Sequence, residues 1–290
     1  MRFSNRRILF PVDFSNYPFA VPPAVEALID DGPNVEVILL HVLDALRPSA
    51  SRLASRMGEL ELLARRHFRH CRFRRRVEYG HPASRILNYI RNNDIAMTVM
   101  PARDSGGFGK GPLGHVASEV LAEASCPLWL EWRSTSPNKG ERASAASVCC
   151  AVEGTTPPDD QIVREAAAVA DQLGGKLTII SPLPPEPNRF AAALRSQFTH
   201  TPEVLRESER INQLRAGIAG RGEVVVATGW REAVIARALR DRSADLLIAG
   251  DCKAAVLAAE GTCPVLRLNV QPGNIGYFGS PGPREHRRIA

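Results

Sequence analysis

The sequence lacks the features of a membrane or secreted protein. No apolar run approaches the ~18 residues that a membrane-spanning helix needs. The first residues, "MRFSNRRILFPVDF", are basic and then apolar, but Pro11 and Asp13 interrupt the apolar part before it reaches the length of a secretory signal. They predict a first strand, and with it a cytoplasmic protein that does not contact a membrane.

Cysteine is present six times but never as a C-x-x-C pair. Cys149 and Cys150 are adjacent on a predicted strand, where successive side chains point to opposite faces. The histidines also lack the H-E-x-x-H spacing of a zinc enzyme. Neither a metal site nor a disulfide framework is therefore expected, and the thiols are interpreted as reduced and buried.

The motifs of common enzymes are also missing. No G-x-S-x-G elbow occurs, and a Walker A loop is excluded because Gly111 follows Gly109 and Lys110 where a Ser or Thr belongs. The letters "GKGPLG" satisfy G-x-G-x-x-G, but they come late in a long loop rather than directly after the first strand, as a dinucleotide fold requires. The sequence therefore predicts a protein that is not an enzyme.

Positive charge is in excess, with a formal net charge of +6 and a sequence pI of about 9.2. Arginine is concentrated in "RRHFRHCRFRRR", residues 65–76, and again in the terminal "REHRRIA". A basic cluster can attract nucleic acid, but no recognised reader motif accompanies this one. Alternating arginines instead suit the solvated face of an edge strand, and nucleic acid is not expected as a partner.

The chain contains a tandem internal repeat. Four landmarks recur in the same order: "ILFPVDFS" and "VCCAVEGT", "VEYGHPASRIL" and "VVATGWREAVIA", "NDIAMTVM" and "ADLLIAG", "ASCPLWLEW" and "GTCPVLRLN". Within each half, near-continuous apolar runs alternate with segments of helical periodicity, in the order βαβαβαβαβ. Such runs are typical of parallel strands buried on both faces, so each half is predicted to be an α/β domain with a parallel five-stranded sheet.

The polar stretch between the halves predicts the domain boundaries. We expect a first domain over residues 1–133, a linker over 134–146 and a second domain over 147–270. The remaining residues, 271–290, are rich in Gly, Pro and Arg and predict an irregular tail.

The landmarks together resemble the universal stress protein family in its tandem, two-domain form. The resemblance covers Arg7 to Trp132 and Ser147 to Asn269, and it is carried by "PVDFS", by "GHPA" and by the two Cys-Pro strands. It implies doubly wound domains of the adenine-nucleotide alpha-hydrolase-like type, paired through their last strands, "PLWLEW" and "PVLRLN". It also implies a stress-response binding or regulatory protein, with a further homodimer or an unidentified protein as partner.

The same resemblance implies a nucleotide site with ATP as the candidate ligand. In the family, a loop of the form G-x-x-G-x9-G-[ST] wraps the phosphates, and here its four letters fall on Pro101, Asp104, Gly114 and His115. Pro101 lacks an N–H and Asp104 repels phosphate, so ATP binding is expected to be weakened or lost. The candidate residues of this degenerate site are Asp13, Arg103, Gly106, Gly107, Gly109, Lys110, Gly114 and His115.

No such site is expected in the second half. Between matching landmarks the second half is 12 residues shorter than the first, and the missing segment is the phosphate loop. Glu153 also stands in the second half where the first half has Asp13, so a glutamate replaces the usual aspartate. We expect this half to persist as a structural partner of the first.

Two alternatives stay open at this point. One is a partner-binding protein of the same type that holds no nucleotide, and the loop substitutions favour it over the other. The other is a slow ATPase that uses the same pocket, which requires a metal-held triphosphate and an oriented water.

Overall fold

The computed structural model describes the chain in separate stretches. They are residues 6–14, 19–29, 35–43, 49–102, 113–132, 146–152, 158–183, 202–217, 222–250, 259–260 and 262–269. The predicted linker lies outside these stretches except for its last residue, and the predicted tail lies outside them entirely.

The described residues form ten strands. They are β1 (Arg6–Pro11), β2 (Val35–Leu43), β3 (Arg72–Tyr79), β4 (Ile95–Pro101), β5 (Leu128–Glu131), β6 (Ser147–Ala151), β7 (Lys176–Leu183), β8 (Glu223–Thr228), β9 (Leu246–Ala249) and β10 (Val265–Arg267).

They also form seven helices. These are α1 (Pro23–Ile29), α2 (Ala50–His67), α3 (Pro82–Asn92), α4 (His115–Glu123), α5 (Pro158–Gln172), α6 (Pro202–Gly217) and α7 (Arg231–Asp241). None of them combines the length and the apolar character that crossing a bilayer requires.

All ten strands belong to one sheet, in the order β3-β2-β1-β4-β5-β10-β9-β6-β7-β8. Neighbours within each half are parallel, whereas β5 and β10 are antiparallel. The predicted architecture of two doubly wound, five-stranded halves paired through their last strands is thereby confirmed.

Helices cover both faces of the sheet and account for the near-continuous apolar strands. One apolar cluster joins the strands to α1, α2, α5 and α6, and a second cluster joins them to α3, α4 and α7. The side chains of β6 from Val148 to Ala151 are all buried, because helices cover both faces of this strand.

The antiparallel joint places the two halves in opposite directions. Strands of the first half are parallel to β5 and strands of the second half are parallel to β10, so their carboxyl ends lie at opposite edges of the sheet. Because ligands of doubly wound folds bind at the carboxyl ends of the strands, any site of one half is separated from the equivalent place in the other.

The second part of the arginine-rich segment, residues 72–76, lies in β3, which is the edge strand of the first half, as its alternating pattern predicts. Arg72, Arg74 and Arg76 are exposed, and the residues between them are partly buried. Arg74 and Arg7 both pair with Glu36 on the neighbouring β2. The basic cluster is thus partly neutralised within the sheet edge itself.

The joint is held by apolar side chains as well as by the strand ladder. Trp129 is fully buried opposite Leu266, and it belongs to the cluster that continues into Val148 and Ile248 of the second half. Trp132 lies in the cluster on the other face, which also contains Val265. Of these two tryptophans, Trp129 therefore covers the joint directly.

We expect Leu266→Ala to lower the free energy of unfolding by about 2–5 kcal/mol, because the substitution opens a cavity against Trp129 at the centre of the joint. Urea denaturation of the full chain, followed by circular dichroism, measures the change. Leu62→Ala is the matched control, since Leu62 is 71% exposed and its truncation should shift stability by less than about 0.5 kcal/mol. Equal midpoints for the two variants would contradict this account of the joint.

Candidate functional site

The first half has a crevice where the strand order reverses, between β1 and β4. After β1 the chain crosses to α1 on one face, and after β4 it leads to α4 on the other face. The two connections diverge, and this divergence opens the crevice beyond the carboxyl ends of the strands. Asp13 follows β1, and Pro101 ends β4.

The side of the crevice next to Asp13 is built around a buried histidine. The Nδ1 atom of His41 donates to the carbonyl oxygen of Val12 over 2.8 Å, because a carbonyl can only accept. Burial lowers the pKa of His41, so the imidazole is neutral at physiological pH. The Phe14 ring lies 4.9 Å from the His41 ring, and the Arg56 guanidinium lies 4.7 Å from the centre of Phe14.

The other side of the crevice is the entrance to α4. The amide of Ala102 donates to the carbonyl of Glu131 over 2.8 Å, and the amide of Gly114 donates to the carbonyl of Ala102 over 2.9 Å. The two ends of the intervening loop are therefore fixed beside each other at the end of β4. Gly114 caps α4 without a side-chain hydrogen bond, and the first turn of α4 contains no acidic residue. The cap residue therefore supplies no side-chain acceptor to the first amides of this helix, and helix starts of this kind favour anions.

The structure places only some of the predicted site residues. Asp13 is exposed beyond β1, and Gly114 and His115 begin α4. Five predicted residues lie outside the described stretches, so their place in the site remains a prediction: Arg103, Gly106, Gly107, Gly109 and Lys110. Asp104 also lies outside them.

His115 is part of a cluster that the sequence analysis did not identify. Its Nε2 atom lies 2.9 Å from the Oε1 atom of Glu119, one turn further along α4. The Nδ1 atom of His81, at the start of α3, lies 3.8 Å from the other oxygen of the same carboxylate. Two imidazoles from different elements therefore face one carboxylate at the rim of the crevice.

A partly buried carboxyl group lies beside the end of β4. Glu131 pairs in register with Pro101, and its Oε2 atom accepts a hydrogen bond of 2.9 Å from the Nε1 atom of Trp129. Burial raises the pKa of Glu131 to about 7, and the hydrogen bond from Trp129 opposes this only in part. The sequence analysis did not single out Glu131, although a period of two on β5 would have placed it on the same face as Trp129.

The equivalent place in the second half is filled by an apolar side chain. Gly250 follows β9, and a Cβ atom added there would lie 2.3 Å from the Cδ1 atom of Ile162 on α5. Ile162 is buried, at 4% exposure. The Ile162 side chain thus fills the space beside Gly250, at the end of β9.

A separate pocket of about 180 Å³ lies at the opposite edge of the first half. Arg66, His67 and Glu26 contribute to its walls, near the last turns of α1 and α2. Helices that follow parallel strands run back to the amino ends, so this pocket is remote from the crevice.

Comparisons with known proteins identify relatives of the whole chain. The model of the universal stress protein family matches twice, over residues 4–130 and 146–266. No curated protein matches the sequence. A universal stress protein from Archaeoglobus fulgidus DSM 4304 is similar in structure, with a TM-score of 0.63 and 17% identity over 92% of this chain and 97% of that chain.

Two further solved structures are similar. A functionally unknown protein from Pseudomonas aeruginosa PAO1 has a TM-score of 0.61 and 14% identity, over 91% of this chain and 92% of that chain. A universal stress protein in complex with cAMP has a TM-score of 0.33 and 18% identity, over 44% of this chain and 100% of that chain. The likenesses that span the whole chain establish its fold.

We expect Glu131→Gln to stabilise the protein at pH 8 by about 1–3 kcal/mol and to change little at pH 5. The folded pKa of about 7 lies above the ordinary value of 4.5, so the folded state binds more protons than the unfolded state between these values. The free energy of unfolding therefore falls as the pH rises through this interval. Glutamine cannot ionise, and its carbonyl oxygen can still accept the bond from Trp129.

Urea denaturation at pH 5 and pH 8 measures the difference between the variant and the natural protein. Glu123→Gln serves as the matched control, because its side chain is 59% exposed on the last turn of α4. A difference between Glu131→Gln and the natural protein that is the same at both pH values would refute a raised pKa at Glu131.

Proposed function

Since the chain belongs to the universal stress protein family, we propose that it is a stress-response binding protein with one weakened adenine-nucleotide site, in its first half. The observation that carries this proposal is the closed base of the loop after β4. There the Gly114 amide bonds to the Ala102 carbonyl, and the uncapped start of α4 faces the crevice.

The entrance to α4 supports the phosphate end of this site. The amide groups of the first helical turn have no partner within the helix, and the helix dipole favours negative charge at this end. Glycine at the cap lets a phosphate approach the backbone closely, since no side chain stands in front of the amides. A phosphate group at this position would complete the hydrogen bonding of the helix start.

The residues around β1 support the other end of the site. Asp13 is exposed next to a wall that contains Phe14 and the neutral His41. An aromatic ring offers a surface for a base, and a carboxylate accepts hydrogen bonds from ribose hydroxyls or from an exocyclic amine. In the family that this chain resembles, the acid at the position of Asp13 contacts the bound nucleotide.

Two residues that differ from the family motif indicate a low affinity for the nucleotide. Pro101 ends β4 at the point where the family motif has its first glycine, and proline has no N–H to offer a phosphate oxygen. Asp104, three residues later, brings a negative charge into the same loop. Arg103 and Lys110 offset this charge in part, so the proposal is a weakened site rather than an abolished one.

The second half is proposed to hold no nucleotide. Its loop is 12 residues shorter, and Ile162 occupies the space beside Gly250. We assign this half the structural role of covering β5, which would otherwise be an exposed apolar edge strand.

A binding role is proposed in preference to catalysis. Phosphoryl transfer needs a metal-held triphosphate and an oriented nucleophile, and the loop substitutions disfavour the first of these. We further propose that the protein acts in the cytoplasm, through a second copy of itself or a partner protein. Cys126 and Cys149 are buried free thiols, which supports a reducing compartment.

The test is calorimetric titration of the full chain with ATP, with and without Mg²⁺. We expect one site per chain with a Kd of about 0.1 mM, near −5.5 kcal/mol. The double variant Pro101→Gly with Asp104→Gly should bind at least about tenfold more tightly, because it restores an N–H and removes a like charge. Titration with cAMP distinguishes the contributions of the two ends of the site, because cAMP has the adenine and ribose of ATP but carries a single phosphate.

Asp13→Ala and Glu153→Ala form a matched pair, because each residue follows the first strand of its half. Only Asp13→Ala should weaken binding. Two sites per chain, or equal losses from both substitutions, would contradict a single site in the first half. Undetectable binding by the natural protein and by the double variant would favour the partner-binding alternative, and hydrolysis above background would favour the ATPase.

A further inference from the structure

We propose that His81, His115 and Glu119 bind a divalent late transition-metal ion, of which Zn²⁺ is the expected example. One ligand atom from each residue lies within 4.8 Å of the other two. No metal site was expected from the sequence, since its histidines and cysteines form no ligand motif, and His81 and His115 are 34 positions apart in the chain.

Two of the three ligands are held on one face of α4. His115 and Glu119 are four residues apart, so their side chains are neighbours on the helix surface. The distance from His115 Nε2 to Glu119 Oε1 is 2.9 Å. Helical spacing of this kind is one of the ordinary ways in which a protein presents two ligands to one ion.

The third ligand comes from a different, well-fixed element. Gly80, with a positive φ of 140°, donates its amide to the Leu43 carbonyl over 2.9 Å, and this bond fixes the turn before His81. Pro82 then begins α3 and restricts the backbone directly after His81. Because α3 and α4 pack on the same face of the sheet through Ala83 and Ala117, the position of His81 relative to α4 is set by the core.

The distances suit a small ion after minor side-chain rotation. Bonds of 2.0–2.1 Å to nitrogen and oxygen in a tetrahedral site place two ligand atoms about 3.3 Å apart. The separations from the two histidine nitrogens to the two oxygens of Glu119, 2.9 Å for His115 and 3.8 Å for His81, lie on either side of this value, and the three ligand atoms all lie within 4.8 Å of one another. Ser84 Oγ is 3.5 Å from His81 Nδ1, too far to hold that nitrogen strongly.

The donor set selects the class of metal. Two imidazoles and one carboxylate suit Zn²⁺, Co²⁺, Ni²⁺ and Cu²⁺, whereas Mg²⁺ and Ca²⁺ prefer oxygen ligands throughout. The imidazoles are 52% and 79% exposed, so the remaining coordination positions face solvent. Three protein ligands with an open position resemble the composition of catalytic rather than structural zinc sites.

The competing interpretation is a pair of ordinary surface contacts between Glu119 and the two histidines. Such contacts contribute little to stability and bind no metal. Direct titration distinguishes the two. Because the metal alone is the probe, the result does not depend on whether the protein binds a nucleotide.

The experiment uses the full chain without an affinity tag, freed of metal by dialysis against a chelator, at pH 7.5. Zn²⁺ is titrated by calorimetry and Co²⁺ by visible absorption. We expect one ion per chain with a micromolar Kd, and cobalt bands without a thiolate charge-transfer contribution. Glu119→Gln and His81→Gln should each weaken binding at least about tenfold.

The matched control is His70→Gln, an exposed histidine of the same half that lies in the turn after α2. It should bind as the natural protein does. His81 makes no side-chain cap to α3, so replacing it does not remove a helix cap, and thermal melts verify that the variants remain folded. The proposal is overturned by absent binding, by binding that survives both ligand substitutions, or by an equal loss in His70→Gln.

Discussion

The antiparallel pairing of β5 with β10 is the constraint on which the rest of the molecule depends. Only three residues of each strand are in register, yet both apolar clusters of the protein pass through this joint. Without it, each half would end in a short apolar edge strand with unpaired backbone groups. The pairing gives the second half one structural role, since β10 covers the edge of the first half at β5.

The joint also positions the crevice of the first half. Trp129 of β5 packs against the second half, and Glu131, two residues later, accepts the amide of Ala102 on its carbonyl. Ala102 in turn accepts the amide of Gly114, at the start of α4. A short chain of backbone contacts therefore connects the buried joint to the helix entrance, so disturbance of one should displace the other.

Much of the fold, and less of the site, could be predicted from the sequence. Apolar runs such as "IAMTVM", the Cys-Pro openings and the repeated order of landmarks were sufficient for the ten-stranded sheet, because local pattern determines burial on both faces. The contacts of His41 with Val12 and of His81 with Glu119 join residues 29 and 38 positions apart, and no local pattern encodes such distances. The role of the loop residues from Arg103 to Lys110 in the nucleotide site remains a prediction.

The two halves differ at the place where the strand order reverses. A buried isoleucine beside Gly250 adds apolar burial to the second half and leaves no room even for a Cβ atom at that glycine. The first half instead keeps exposed polar groups at the same topological position, which favours binding over stability. His115 stands where the family motif has a hydroxyl, and it faces a carboxylate and a second imidazole there. That exchange removes a hydrogen-bond donor for phosphate and places an imidazole nitrogen at the helix entrance, so the substitution that weakens the proposed nucleotide site also supplies one ligand of the proposed metal site.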